Sequence, residues 1–285
     1  MLLLVWQVAC VAAEPFADVH VHYNWDQQEL IDAQGIVDRL EAADVEFAVA
    51  AGTPSRLAAD LARVSNGRVI ALFSPYIHEM GRRDWHLDAR VVSEAEAGLR
   101  ARDYRGIGEV HFMAGFRPRT DNPIFRQLME LAMRYSVPVL IHIDSGNEKT
   151  FVELCTRYPD LDILFAHAGG NLPASHIRRI IETCDNAWIE FSARDPWRFD
   201  GLAGDDGKLL PDWRALVIDH PDRFVTGTDP VWRVTRTQSW DQPDDGWDYF
   251  EQLLEWHRNW LADLPEPVRR KVSVENARRL FGREP

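Results

Sequence analysis

Eight short apolar runs, rich in β-branched and aromatic residues, recur along this chain of 285 residues, and helix-period segments fill the spaces between them. The runs are Phe16–His22, Glu46–Ala51, Val69–Ser74, Gly106–His111, Pro138–Ile143, Asp162–Ala166, Ala187–Phe191 and Arg223–Thr228. Helical patterning covers Gly35–Ala43, Pro54–Ser65, Ser93–Arg102, Asn122–Tyr135, Glu148–Arg157, Ala174–Thr183 and Pro211–Asp219. It returns after the last run over Trp247–Leu261 and Pro267–Phe281. Pro123, Pro173 and Pro211 stand at or just before helix starts, where a missing N–H costs nothing. Strands alternating with helices, with no linker and no internal repeat, predict an α/β fold: one (β/α)8 TIM barrel with extra C-terminal helices. An open doubly wound sheet is the competing arrangement, and it collects ligands at a single switch point in the strand order.

The polar residues that close these runs decide between the two. Asp18-Val19-His20-Val21-His22 ends the first run, and residues two apart on a strand share a face, so His20 and His22 project together. Four more candidates stand late in or just after their own runs: Glu109 in Gly-Ile-Gly-Glu-Val-His, His142 in Val-Leu-Ile-His-Ile-Asp, His167 in Ile-Leu-Phe-Ala-His-Ala-Gly-Gly, and Asp229 in Phe-Val-Thr-Gly-Thr-Asp. They are spread over strands one, four, five, six and eight, and a closed barrel is what brings those ends to one mouth. A lone strand-end histidine is more often structural than ligating; it is the conjunction that points to a metal. The mixture of His, Asp and Glu suits zinc or another first-row divalent ion. Such an ion lowers the pKa of bound water from near 16 to roughly 7, and a neighbouring carboxylate, here Asp229, can take the proton and pass it on.

The order H-x-H, Glu, His, His, Asp along a barrel resembles the amidohydrolase superfamily. The closing segment Val274-Glu275-Asn276-Ala277-Arg278-Arg279-Leu280-Phe281 is similar to the N-A-x-R-L-F ending of its amidohydrolase-related (amidohydrolase 2) branch of metal-dependent hydrolases, which includes hydrolases, lactonases, hydratases and decarboxylases. The resemblance spans about Phe16 to Phe281 and implies His20, His22 and His142 as metal ligands. It makes His167 a second-metal ligand or the group that polarises the substrate carbonyl, and Asp229 both ligand and proton shuttle. Glu109 departs from the many two-metal members with a carboxylated lysine on strand four, since Arg105 to His111 contains no lysine. TatD-like nucleases carry a bridging glutamate there, and Glu109 can bridge likewise or hydrogen-bond a ligand histidine. The branch leans towards one metal, so one ion, zinc in preference, is expected over two.

The function expected is hydrolysis of an ester, lactone, amide or related bond of a small molecule by metal-activated water, with Asp229 and His167 as the catalytic pair. The alternative is a metal-dependent lyase, a decarboxylase or hydratase of an unsaturated carboxylic acid, which a basic pocket of Arg194, Arg233 or Arg117 would favour. A non-catalytic metal- or ligand-binding barrel is the third possibility. His111, Asp144, Arg194 and Trp232 are candidate substrate contacts, with Tyr76, Trp25 and Trp197 placed near the mouth by position. Asp18, deeper in the strand, is expected to be a structural hydrogen-bonding group.

A net charge of −13 argues against nucleic acid and anionic membranes as partners; a small-molecule substrate and a homo-oligomer remain compatible with it. Residues 1–13 are apolar, too short to span a bilayer, and resemble the core of a secretory signal cleaved before Glu14. That predicts a periplasmic or secreted domain over residues 14–285 with no stable membrane insertion, and a cytoplasmic protein otherwise. Cys155 and Cys184 lie late in neighbouring predicted helices and are expected as buried free thiols rather than a disulfide.

Overall fold

The computed structural model describes residues 14–112, 118–144, 147–199, 201–232 and 242–283. The expected signal segment, Arg117 and Arg233 lie outside the described residues. The first half runs β1 (Phe16–Asn24), α1 (Ala33–Ala42), β2 (Val45–Thr53), α2 (Arg56–Val64), β3 (Val69–Ala71), α3 (Arg90–Ala101), β4 (Ile107–Phe112) and α4 (Pro123–Tyr135). The second half runs β5 (Val139–Ile143), α5 (Glu148–Arg157), β6 (Ile163–Phe165), α6 (Ala174–Thr183), β7 (Ala187–Glu190), α7 (Pro211–Asp219) and β8 (Phe224–Val225). The chain ends in α8 (Phe250–Leu261), α9 (Glu266–Arg270), one π turn over Lys271–Glu275, and α10 (Asn276–Leu280). Asn122 shows how the local signals act: its side chain accepts from the Ile124 and Phe125 amides, and Pro123 follows at the first helical position.

Every strand pairing is parallel, in the orders β1-β2-β3 and β4-β5-β6-β7-β8. Backbone hydrogen bonds cross both seams. Phe73 N–H donates to the Gly106 carbonyl at 2.9 Å, and Gly108 N–H returns to the Phe73 carbonyl at 2.9 Å. At the other seam Val19 N–H donates to Thr226 at 2.8 Å and Asp229 N–H to His20 at 2.7 Å. The last expected strand, Arg223–Thr228, is a regular strand only over Phe224–Val225. Beyond Val225 the chain leaves regular pairing because Asp18 intrudes: its carboxylate takes the Thr228 amide at 2.9 Å and the Thr228 hydroxyl at 2.6 Å. Asp18 is thus the structural group expected of it.

The buried side chains sort by strand parity. Phe16, Val21, Ala48, Ala50, Ile141, Phe165 and Ile189 share one core with the surrounding helices. Ala17, Val19, Phe47, Val49, Ile70, Leu72, Leu140, Leu164, Ala166, Trp188 and Val225 form a second cluster inside the barrel, closed below by Ala277, Leu280 and Phe281 of the C-terminal segment. A register irregularity between Asp18 and Val21 shifts the alternation of β1, so His20 and His22 face inward above Val19. Cys155 and Cys184, expected as free thiols, are joined as a disulfide with Cα atoms 5.9 Å apart; packing α5 beside α6 brings them within ordinary bridging reach. Among the described residues no helix is long and apolar enough to cross a membrane.

Candidate metal centre

The inward parity that fills the barrel with apolar side chains continues upward with titratable ones. Leu140 is followed by His142 and Trp188 by Glu190 and Ser192, whereas His167, one residue after Ala166, is placed by a left-handed turn with φ 58°. The six expected ligands meet there. His20 Nε2 and His22 Nε2 are 3.1 Å apart. Glu109 Oε2 lies 3.5 Å from the first and 3.4 Å from the second. Asp229 Oδ1 lies 3.3 Å from His22 Nε2. The other Glu109 oxygen, Oε1, faces His142 Nδ1 at 3.1 Å and His167 Nε2 at 3.3 Å, and those two nitrogens are 3.0 Å apart. Donors about 2.1 Å from a shared tetrahedral ion stand about 3.4 Å from one another, so these separations suit metal ligation. Asp229 Oδ1 is also buried with no hydrogen-bond partner, as an oxygen awaiting a cation would be.

Hydrogen bonds behind the rings aim the lone pairs. Ser192 Oγ donates to Glu190 Oε2 at 2.7 Å, so it accepts from His167 Nδ1 at 2.8 Å, and the His167 ring proton sits away from the cluster. His20 Nδ1 donates to Glu190 Oε2 at 2.9 Å. His142 Nε2 donates to Asp144 Oδ1 at 2.9 Å. In each neutral imidazole the opposite nitrogen then carries the lone pair, turned to Glu109, the arrangement that orients metal-binding imidazoles. Glu190 and Ser192 carry no role in the sequence reading, although an acid inside the apolar run Ala-Trp-Ile-Glu-Phe-Ser was a usable signal.

The electrostatics lead to the same place. Burial opposes charge throughout, yet Glu109 and Asp229 are held well below the ordinary carboxylate range by the surrounding histidines. His20 and His22 are raised despite burial, His20 first by the charges of Glu109 and Asp229, His22 by its contacts with the same two acids. Burial also opposes the charge of His142, but Asp144 and Glu109 raise it to about 9. Protons gather on the imidazoles because the buried carboxylates demand positive charge, which a divalent ion would supply.

The weaker candidates divide. His111 stands 3.3 Å from Glu109 Oε2 and Asp144 touches His142, so both adjoin the cluster. Trp232 is 40% exposed at the mouth, its amide donating to Asp244 Oδ1 at 2.7 Å. Arg194 corrects the expectation. It is 1% exposed, donates to the Gly170 carbonyl and to the Leu172 carbonyl at 3.1 Å, and lies over the Trp213 ring. Its chain turns outward after β7, and the guanidinium serves the backbone of the neighbouring loop. Arg198, four residues on, faces the site instead. It donates to the Thr228 carbonyl at 2.8 Å and the Asp229 carbonyl at 2.5 Å, and stands 3.5 Å from Asp229 Oδ2.

A family model described as Amidohydrolase matches residues 17–283. Comparison with curated proteins gives no match. Among solved structures, a protein described provisionally as a 2-pyrone-4,6-dicarboxylic acid hydrolase from Pseudomonas putida is 17% identical with a TM-score of 0.64, covering 95% of this chain and 98% of its own. A TatD homologue from Escherichia coli K12 is 15% identical with a TM-score of 0.64, covering 94% and 98%. An amidohydrolase from Burkholderia multivorans with bound zinc is 16% identical with a TM-score of 0.57, covering 94% and 99%. At such identities the structural likeness establishes the barrel fold.

Proposed function

The chain belongs to the amidohydrolase family, and from that premise we propose that it is a metal-dependent hydrolase of an ester, lactone, amide or related bond in a small molecule. The observation that carries the reading is the meeting of His20, His22, Glu109, His142, His167 and Asp229 at one barrel mouth, with ring lone pairs turned inward. We assign His20, His22, Asp229 and Glu109 Oε2 to one ion. Glu109 Oε1, His142 Nδ1 and His167 Nε2 are assigned to a second. One ion was expected from the sequence; the division of the two Glu109 oxygens between separate histidine pairs supports two. Nitrogen and oxygen donors favour zinc, and a similar barrel carries zinc. Bound zinc supplies a Lewis acid and makes water acidic enough to yield hydroxide near neutral pH.

The chain's own residues do the rest. Asp229 is the proton carrier: its Oδ2 faces Arg198 and its Oδ1 is left without a hydrogen-bond donor. The carboxylate takes a proton from the attacking water and delivers it to the leaving group. His167 is assigned as a ligand rather than an oxyanion donor, because its one ring proton is committed to Ser192. Hydrolysis is preferred to the lyase alternative because Arg194, one of the arginines a basic lyase pocket would call on, is spent on backbone carbonyls. Metal analysis of the purified protein, joined to a panel of esters, lactones and small carboxylic acids, tests the reading. Chelator-sensitive hydrolysis is expected; decarboxylation with no hydrolysis, or an enzyme fully active without metal, would overturn it.

A further inference from the structure

Asp229, assigned as the proton carrier, stands in a backbone conformation that its own residue type does not favour. Its φ is +50°, in the left-handed region that non-glycine residues seldom adopt, and it lies beyond the end of β8 at Val225. Two backbone bonds fix the turn from within: the Asp229 amide donates to the His20 carbonyl at 2.7 Å, and the Val231 amide to the Asp229 carbonyl at 2.8 Å. The rest comes from the loop after β7. Arg198 Nη2 donates to the Thr228 carbonyl at 2.8 Å and Nη1 to the Asp229 carbonyl at 2.5 Å, so one guanidinium clasps the carbonyls on either side of the Asp229 Cα. Nη1 also lies 3.5 Å from Asp229 Oδ2. Asp195 fixes the guanidinium in turn: its Oδ2 accepts from Arg198 Nε at 2.7 Å, and its Oδ1 accepts the Trp197 amide at 3.1 Å. Asp195 is buried. Each of the three guanidinium nitrogens thus has a protein partner, and a planar fork so committed holds backbone rather than substrate.

We propose that Arg198, aimed by Asp195, is a positioning residue for the reaction: it clasps the turn that presents the Asp229 carboxylate to the attacking water and the leaving group. The inference rests on the hydrolase reading and adds to it a device set in the loop after β7. Misplacing a reacting group by about 1 Å costs on the order of 10²-fold in rate, so the clasp acts on kcat. Asp18 anchors Thr228 through its amide and its hydroxyl, so the strand end keeps its place when the clasp is removed.

Steady-state hydrolysis of 4-nitrophenyl acetate by the zinc-loaded full chain tests this. Arg198→Ala should lower kcat about 10- to 100-fold, with KM within about twofold and zinc content unchanged. Guanidinium ion, added below denaturing concentration, should restore turnover to Arg198→Ala and not raise that of the unaltered protein. Asp195→Asn should lower kcat about three- to tenfold, with KM and zinc content again unchanged. Amide hydrogen exchange over residues 226–232, followed by mass spectrometry on the zinc-free chain, should be about tenfold faster in Arg198→Ala. An unchanged kcat in either variant, a loss that guanidinium does not reverse, a loss traced to missing zinc, or unaltered exchange over 226–232 would each overturn the clasp. Absence of ester turnover in the unaltered protein counts against the hydrolase reading instead; the clasp is then judged by the exchange alone.

Discussion

The two ends of the barrel interior use the same strands and the same inward parity for opposite purposes. Below, Ala17, Val19, Phe47, Leu140, Leu164 and Trp188 bury apolar surface against α10. Above, His20, His22, Glu109, His142, Glu190 and Asp229 bury charge that the chain balances with protons on the histidines and with Arg198 beside Asp229. The lower layer stabilises the fold without needing anything from outside. The upper layer could hold a cation, which on the reading proposed above completes it, and a group of that kind is retained for chemistry rather than stability.

The comparison can be broken most severely at the top. Asp229→Asn should lower turnover roughly 10²–10⁴-fold while the unfolding midpoint in urea changes little; full activity in steady-state assays would remove Asp229 as the proton carrier. At the bottom the expectation reverses. Leu164→Ala should cost about 2–5 kcal/mol in urea unfolding and leave zinc content untouched. A loss of zinc would mean the two layers are not independent.

His257 sharpens the contrast, because it is a titratable side chain buried in the apolar shell, against Phe16, Trp256 and Trp260. Burial pushes it down from 6.5 to about 4. The unfolded chain binds its proton first as pH falls, so stability is full above about 6.5 and declines towards pH 4, by up to about 3 kcal/mol. His257→Leu should flatten that part of the curve of melting temperature against pH relative to the unaltered protein; parallel curves would contradict the assignment. The smallest effect is expected behind the cluster. Ser192→Ala frees the His167 tautomer and should weaken zinc about 10- to 100-fold against a competing chelator, with little change in stability.

Much of this was legible in the chain. The eight apolar runs anticipate eight strands, and the six polar residues at their ends are brought together; period-two alternation carries His142 inward, whereas His20 and His22 depend on the irregularity in β1 and His167 on a left-handed turn. The same rule reaches Glu190 and Ser192, which share the face of Trp188; they were missed as site residues because they end a run without forming a motif. Arg194 was placed wrongly, and Arg198 was not singled out, for another reason. Both sit in the loop after β7, where no periodicity tells which way a side chain turns. Loop direction here is decided by long-range partners such as Trp213 and Thr228. The disulfide was misjudged although α5 and α6 were expected as neighbours, because neighbouring helices do not fix whether two particular side chains come within bridging reach; here the Cα atoms are 5.9 Å apart.

Anomalous diffraction at the zinc edge from crystals of the zinc-loaded protein tests the central claim most directly. Two peaks are expected at the barrel mouth, one among His20, His22 and Asp229, the other beside His142 and His167, with Glu109 reaching both. An empty mouth, or zinc bound only elsewhere on the surface, would contradict it.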